Sequence, residues 1–207
     1  LIDGNETFEA IFEAINTAQS YILVQFYIVR DDRLGTLLGK ALIKAANRGV
    51  VVRFLYDSVG SSRLSNRYIN WLKSAGVEIL DSNALRGPSN RLQINFRNHR
   101  KTLVVDGKTG FTGGFNIGDD YMGENKKLGH WRDTHCQMRG PIVHQLQLVF
   151  VEDWYWATET SLLDALNWEP DCQPENMDAL LLAAGPADEL ETGSLYFCTA
   201  INAAKHR

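Results

Sequence analysis

The chain reads as an α/β domain in which a mixed β-sheet is flanked by helices on both faces. Apolar residues alternate between helical spacing and short β-branched runs along 207 residues that are 44% hydrophobic. Two strand-like runs flank Asp106-Gly107, and Asp-Gly is the preferred centre of a two-residue hairpin loop. The length suffices to bury a real core as one large domain.

Phe8, Ile11, Phe12 and Ile15 recur at helical spacing and predict a helix over about 6–19. Tyr21–Val29 is an apolar β-rich run and predicts a buried strand. The stripe Leu34, Leu37, Leu38, Ala41, Leu42 and Ala45, closed by Gly49, is a second helix. Val50–Tyr56 predicts a strand, 64–75 a helix closed by Gly76, and Val77–Leu80 a short strand. The hairpin 101–112 follows, then a strand near 132–139. A helix opens at about Pro141, a residue suited to the first turn, and carries Val143, Leu146, Val149, Phe150, Trp154 and Tyr155. The aromatic cluster Trp154, Tyr155, Trp156 reads as core or interface.

Residues 167–178 break the pattern and read as a linker. Beyond them, Ala14-Ile15-Asn16-x-Ala18 of the first helix recurs as Ala200-Ile201-Asn202-x-Ala204. The expectation is one complete domain over 1–166, a linker over 167–178, and the start of a second, similar domain over 179–207, cut off within a longer duplicated protein. The first residue, Leu1, agrees with that expectation.

Net charge of −4 argues against a general nucleic-acid binder. Locally, Arg86, Arg91, Arg97, Arg100 and Lys101 form a stretch without an acid between residues 82 and 105, an electropositive mouth for an anionic group or else a basic solvated loop. Cys136, Cys172 and Cys198 show no C-x-x-C spacing and read as reduced thiols of a cytosol-facing protein. No apolar run approaches the ~18–20 residues that span a bilayer.

His99, Lys101 and Asp106, followed by Gly113, Gly114 and Asn116, form H-x-K-x4-D-x6-G-G-x-N. Average residue usage gives this string by chance in roughly one chain in several hundred thousand. Strand alternation points His99 and Lys101 to one face. A two-residue loop would put Lys101 opposite Thr112 and His99 opposite Gly114, so that the glycines leave room beside the imidazole for a tetrahedral group. A nucleophilic imidazole, a lysine cation, an amide donor at Asn116 and bare backbone together make a phosphate site. Asp106 alternates onto the other face and sits in the turn, so its expected role is to fix the hairpin. His130, His135 and Cys136 lack zinc-ligand spacing, so no metal is expected. Glycine-rich nucleotide loops are absent, and no cofactor is implied.

The stretch NHRKTLVVDGKTGFTGGFNIGDDYMG resembles the HKD motif of the phospholipase D superfamily. HWRDTHCQMRGPIV, with QFYIV and YDSVGS, is similar more narrowly to the first half of the bacterial cardiolipin synthases. The resemblance spans nearly the whole chain and implies a phospholipase D-like half-domain. It assigns His99 as nucleophile through a phosphohistidine, with Lys101 and Asn116 on the non-bridging oxygens. Asp133 fits the pattern of an acid that orients an imidazole, its alternative being an ion pair with Arg132 or Arg139. The implied reaction joins two phosphatidylglycerol molecules with release of glycerol, at the bacterial inner membrane, with a second HKD half or a homodimer completing the site. Metal-independent catalysis is implied as well. A phospholipase D or nuclease-type phosphodiesterase and a non-catalytic half-domain are the alternatives.

Overall fold

The computed structural model describes residues 1–83, 98–125, 127, 129–171, 174, 177–185 and 191–206. Helices α1 (Gly4–Thr17), α2 (Arg33–Asn47) and α3 (Asn66–Ser74) alternate with strands β1 (Tyr21–Phe26), β2 (Val51–Tyr56) and β3 (Glu78–Asp81). Strands β4 (Lys101–Val105), β5 (Thr109–Gly113) and β6 (His135–Arg139) follow, then α4 (Ile142–Thr158) and α5 (Thr192–Ala203). The sheet runs β3-β2-β1-β4-β5-β6, with β1, β2 and β3 parallel and β4, β5 and β6 joined antiparallel. It is the mixed sheet that the sequence predicts.

The first three helices start where a side chain can satisfy one of their free N–H groups. Asp3 accepts from the Glu6 N–H, Asp32 from Gly35 and Ser65 from Tyr68. Gly49 and Gly76 take positive φ of 91° and 86° just past α2 and α3, which lets the chain turn back into β2 and β3.

Alternation along the strands divides the core in two. Ile22, Val24, Phe26, Val52, Phe54, Leu103 and Phe111 face α1, α2 and α3, and pack with Phe8, Ile11, Leu38 and Leu42. Tyr21, Leu23, Leu55 and Val104 face α4, and pack with Val143, Leu146, Phe150 and Trp154. Burying each of these large side chains contributes roughly 1.5–3 kcal/mol. Trp154 thus belongs to the core, while Tyr155 and Trp156 are exposed.

The hairpin departs from the predicted register. Its turn is centred on Asp106 and Gly107, with φ of 54° and 68°, and the Lys108 N–H donates to the Val105 carbonyl at 3.0 Å. Lys108, however, stays outside the ladder, which pairs Val105 with Thr109 and Thr102 with Thr112. One extra residue in the loop moves every partner by one.

Among the described residues from 167 to 191 there is no helix or strand, and no residue of α5 is buried.

Candidate active site

The chain entering β4 and the loops after β1 and β2 meet at one end of the sheet. His99 lies two residues before the first residue of β4 and is exposed. Its ring stacks on Tyr27, which directly follows β1, with centroids 4.0 Å apart and planes inclined by 17°. Gly60 packs bare backbone against the same tyrosine, since a Cβ there would stand 2.9 Å from two carbons of the ring. Asp57 shapes that turn: its Oδ1 accepts from the Val59 and Gly60 N–H groups at 2.9 Å each. Asn83 Nδ2 donates to the other carboxylate oxygen at 2.8 Å.

Lys101 reaches the same place. Its Nζ lies 5.9 Å from the centre of the Tyr27 ring and donates to the His99 carbonyl oxygen. Burial lowers its pKa from the usual 10.5, and the Asp133 carboxylate pulls in the opposite direction. A partly desolvated ammonium of this kind gains more from an incoming anion than one in open water.

Gly113 and Gly114 lie against the approach to β6. With the shifted register, a Cβ on Gly113 would lie 2.6 Å from His135 Nδ1, and one on Gly114 would overlap the Asp133 carboxylate. Their bareness makes room for the approach to β6. Asp133 is half-buried, and its Oδ1 accepts the Thr134 N–H at 2.7 Å. Among the described residues, no hydrogen bond joins it to His99, and no ion pair joins it to Arg132 or Arg139.

Asn116 is buried and held by two elements of the fold. It is 5% exposed; its Oδ1 accepts the Ile28 N–H at 3.0 Å and its Nδ2 donates to the Tyr121 hydroxyl at 3.1 Å. The carbonyl is therefore committed to the backbone just beyond Tyr27, and the amide group retains one further hydrogen. Asp106 lies at the far end of β4 from His99. Its carboxylate accepts the N–H groups of Gln19, Ser20 and Tyr21 at 2.9, 2.8 and 2.9 Å, tying the hairpin to the start of β1.

Of the basic stretch, Arg86, Arg91 and Arg97 lie outside the described residues, as does Cys172. Arg100 is paired with Asp153, which cancels its charge locally. His130 and Cys136 are exposed, whereas His135 is buried beside Phe115 with neither ring nitrogen hydrogen-bonded. Burial lowers the His135 pKa from 6.5 to about 4; Asp133 raises it, and the amino terminus and Lys101 lower it further.

Tyr27, Gly60 and Asp57 were not among the expected site residues. They stand in QFYIV and YDSVGS, which carry the family resemblance, but nothing in their spacing points to a stack on His99.

The mixed six-stranded sheet flanked by helices agrees with the comparisons. The family described as "Cardiolipin synthase, PLD-like domain" matches residues 11–154, and the chain belongs to that family. Cardiolipin synthase A of Pseudomonas aeruginosa is 49% identical over 207 residues, which is 100% of this chain and 42% of that protein. The chain thus spans less than half the length of the relatives it matches. Among solved structures, a phospholipase D family member, Nuc from Salmonella typhimurium, superposes with a TM-score of 0.55 at 20% identity, over 72% of this chain and 87% of that one. Phosphatidylserine synthase from Haemophilus influenzae gives 0.56 at 17% identity, over 72% and 34%.

Proposed function

We propose that this chain is the first catalytic half of a phosphatidyltransferase of the cardiolipin synthase type. The observation that carries the reading is the exposed His99 imidazole held against Tyr27, with the half-buried Lys101 ammonium alongside, in a chain about half identical throughout to cardiolipin synthase A.

His99 attacks the phosphorus of one phosphatidylglycerol as the glycerol P–O bond breaks, giving a phosphatidyl-histidine. The departing glycerol oxygen takes a proton from a general acid. The glycerol hydroxyl of a second phosphatidylglycerol then attacks the same phosphorus, the P–N bond breaks, and a base removes the hydroxyl proton. The product is cardiolipin. Lys101 and the remaining Asn116 amide hydrogen stabilise the charge on the non-bridging oxygens in each transition state. Asp133 tunes this centre through Lys101. The acid and base are a histidine of a second HKD half, either the domain that opens in residues 179–207 or a second copy of this chain. The full-length protein works at the bacterial inner membrane, either peripherally or anchored by segments outside this chain; no helix of the described residues is long and apolar enough to cross a bilayer.

The test uses the full-length protein with phosphate-labelled phosphatidylglycerol in mixed micelles. The expected products are cardiolipin and glycerol, with acid-labile label on the denatured protein that disappears in His99→Ala. Labelling of His99→Ala at the wild-type level would remove His99 as nucleophile. Release of phosphatidic acid in place of cardiolipin would make water the acceptor.

A further inference from the structure

His99 stands outside the sheet ladder, because the pairing of β1 with β4 ends at Phe26 and Lys101. A nucleophile in such a segment needs another restraint on its backbone. The two residues on either side of it supply one. Asn98 Nδ2 donates to Asp153 Oδ2 at 2.7 Å, and Arg100 Nη1 lies 2.7 and 2.8 Å from the two carboxylate oxygens. Asn98 Oδ1 in turn accepts the Arg100 N–H at 3.0 Å, closing a loop across the residue between them. A fourth group joins from β1, where buried Gln25 donates to Asp153 Oδ2 at 2.8 Å.

Asp153 belongs to α4, two turns beyond Leu146 and one beyond Phe150, on the stripe that faces the sheet. Its side chain is 16% exposed and that of Arg100 28%. A carboxylate so placed is strongly held by charge-assisted bonds and costly to leave unpaired. Asn98 and Arg100 turn toward α4, as Val104 does further along, which leaves His99 to face the opposite way, against Tyr27.

We propose that Asp153 is a positioning residue for His99, holding the backbone on both sides of the nucleophile so that the imidazole meets phosphorus in line. The proposal rests on the reading of His99 as nucleophile. In-line attack demands a reacting distance of about 3–3.5 Å, and misplacement by about 1 Å costs on the order of 100-fold.

The experiment compares full-length wild type, Asp153→Asn, Asn98→Ala and the double variant on phosphatidylglycerol micelles, with single-turnover labelling of His99 and thermal melting. Asp153→Asn keeps the shape but loses the negative charge that faces Arg100 and one acceptor. It is expected to lower kcat and the rate of phosphohistidine formation on the order of 100-fold, with KM within about twofold of wild type. Asn98→Ala is expected to lower kcat on the order of 10-fold, and the double variant to fall well short of the product of the two losses, because Asn98 acts largely through Asp153. Wild-type kcat per folded molecule in Asp153→Asn would overturn the proposal, and so would losses that multiply in the double variant. If Asp153→Asn does not fold, Asn98→Ala decides, and its retention of wild-type labelling rate overturns the proposal. An inactive, unlabelled wild type would instead refute the reading of His99, which keeps the two failures apart.

Discussion

His135→Met should flatten the acid limb of the stability curve. The imidazole is 1% exposed, packs near Phe115 at a centroid distance of 6.0 Å, and has neither nitrogen bonded. Its folded pKa of about 4 lies below the 6.5 of an unfolded chain because burial penalises the charged ring. Above pH 6.5 the ring is neutral in both states and adds no pH dependence. Between 6.5 and 4 the unfolded chain binds the proton and the folded one does not, so stability falls with pH at about 1.4 kcal/mol per unit. The full contribution is about 3 kcal/mol, complete by pH 4, and about 2 kcal/mol of it is gone at pH 5. Methionine has similar bulk and cannot take up the proton. Urea melts at pH 7.5, 6 and 5 should therefore show the variant gaining about 2 kcal/mol on the wild type between the first and the last. Parallel losses in the two proteins would refute the reasoning, since the imidazole would then titrate alike in the folded and unfolded chain.

Gly114→Ala places a methyl on the Asp133 carboxylate and should slow the proposed phosphatidyl transfer by the full-length protein severalfold or more, whereas Gly49→Ala, with no atom within 4 Å of its new methyl, should change stability through its positive φ alone. Asp106→Ala removes the acceptor of three backbone N–H groups and should cost about 2 kcal/mol in a urea melt. Asp133→Asn should lower turnover more than Asp106→Asn does at equal folded fraction, because Asp133 acts on Lys101 while Asp106 lies at the other end of β4; the reverse order in initial rates would exchange their roles. Tyr27→Leu removes the ring on which His99 stacks and should lower kcat with little change in melting temperature, a prediction that fails if only KM moves.

The layered fold was legible because its determinants are local. The stripe Leu34, Leu38, Leu42 and Ala45 is buried in α2 as its spacing dictates, and Asp106-Gly107 forms the turn its dihedral preferences favour. Register was not legible, because Lys108 can enter the ladder or bulge from it at little local cost, and that choice moved each cross-strand partner by one, with Gly113 against His135 and Gly114 against Asp133. The supports of His99 were hidden for a related reason. Tyr27 and Asp153 lie 72 residues before it and 54 after it in the chain, and no periodicity encodes their meeting. One trace was present: Asp153 falls on the apolar stripe of α4, and a carboxylate in that position must find donors.

The order of strands in the sheet also sets a clock. Strand β1 is central, yet one of its two neighbours is β4, and Ile22 pairs with Val105, about eighty residues later. At a synthesis rate of ~5–20 residues per second, that edge of β1 stays open for roughly 4–16 s. An open apolar edge is a template for pairing with any extended segment nearby. Each growing chain therefore passes through an interval in which its most buried strand is also its most adhesive one, and β4, arriving with His99 and Lys101 at its head, ends that interval and brings both side chains to the sheet in the same step.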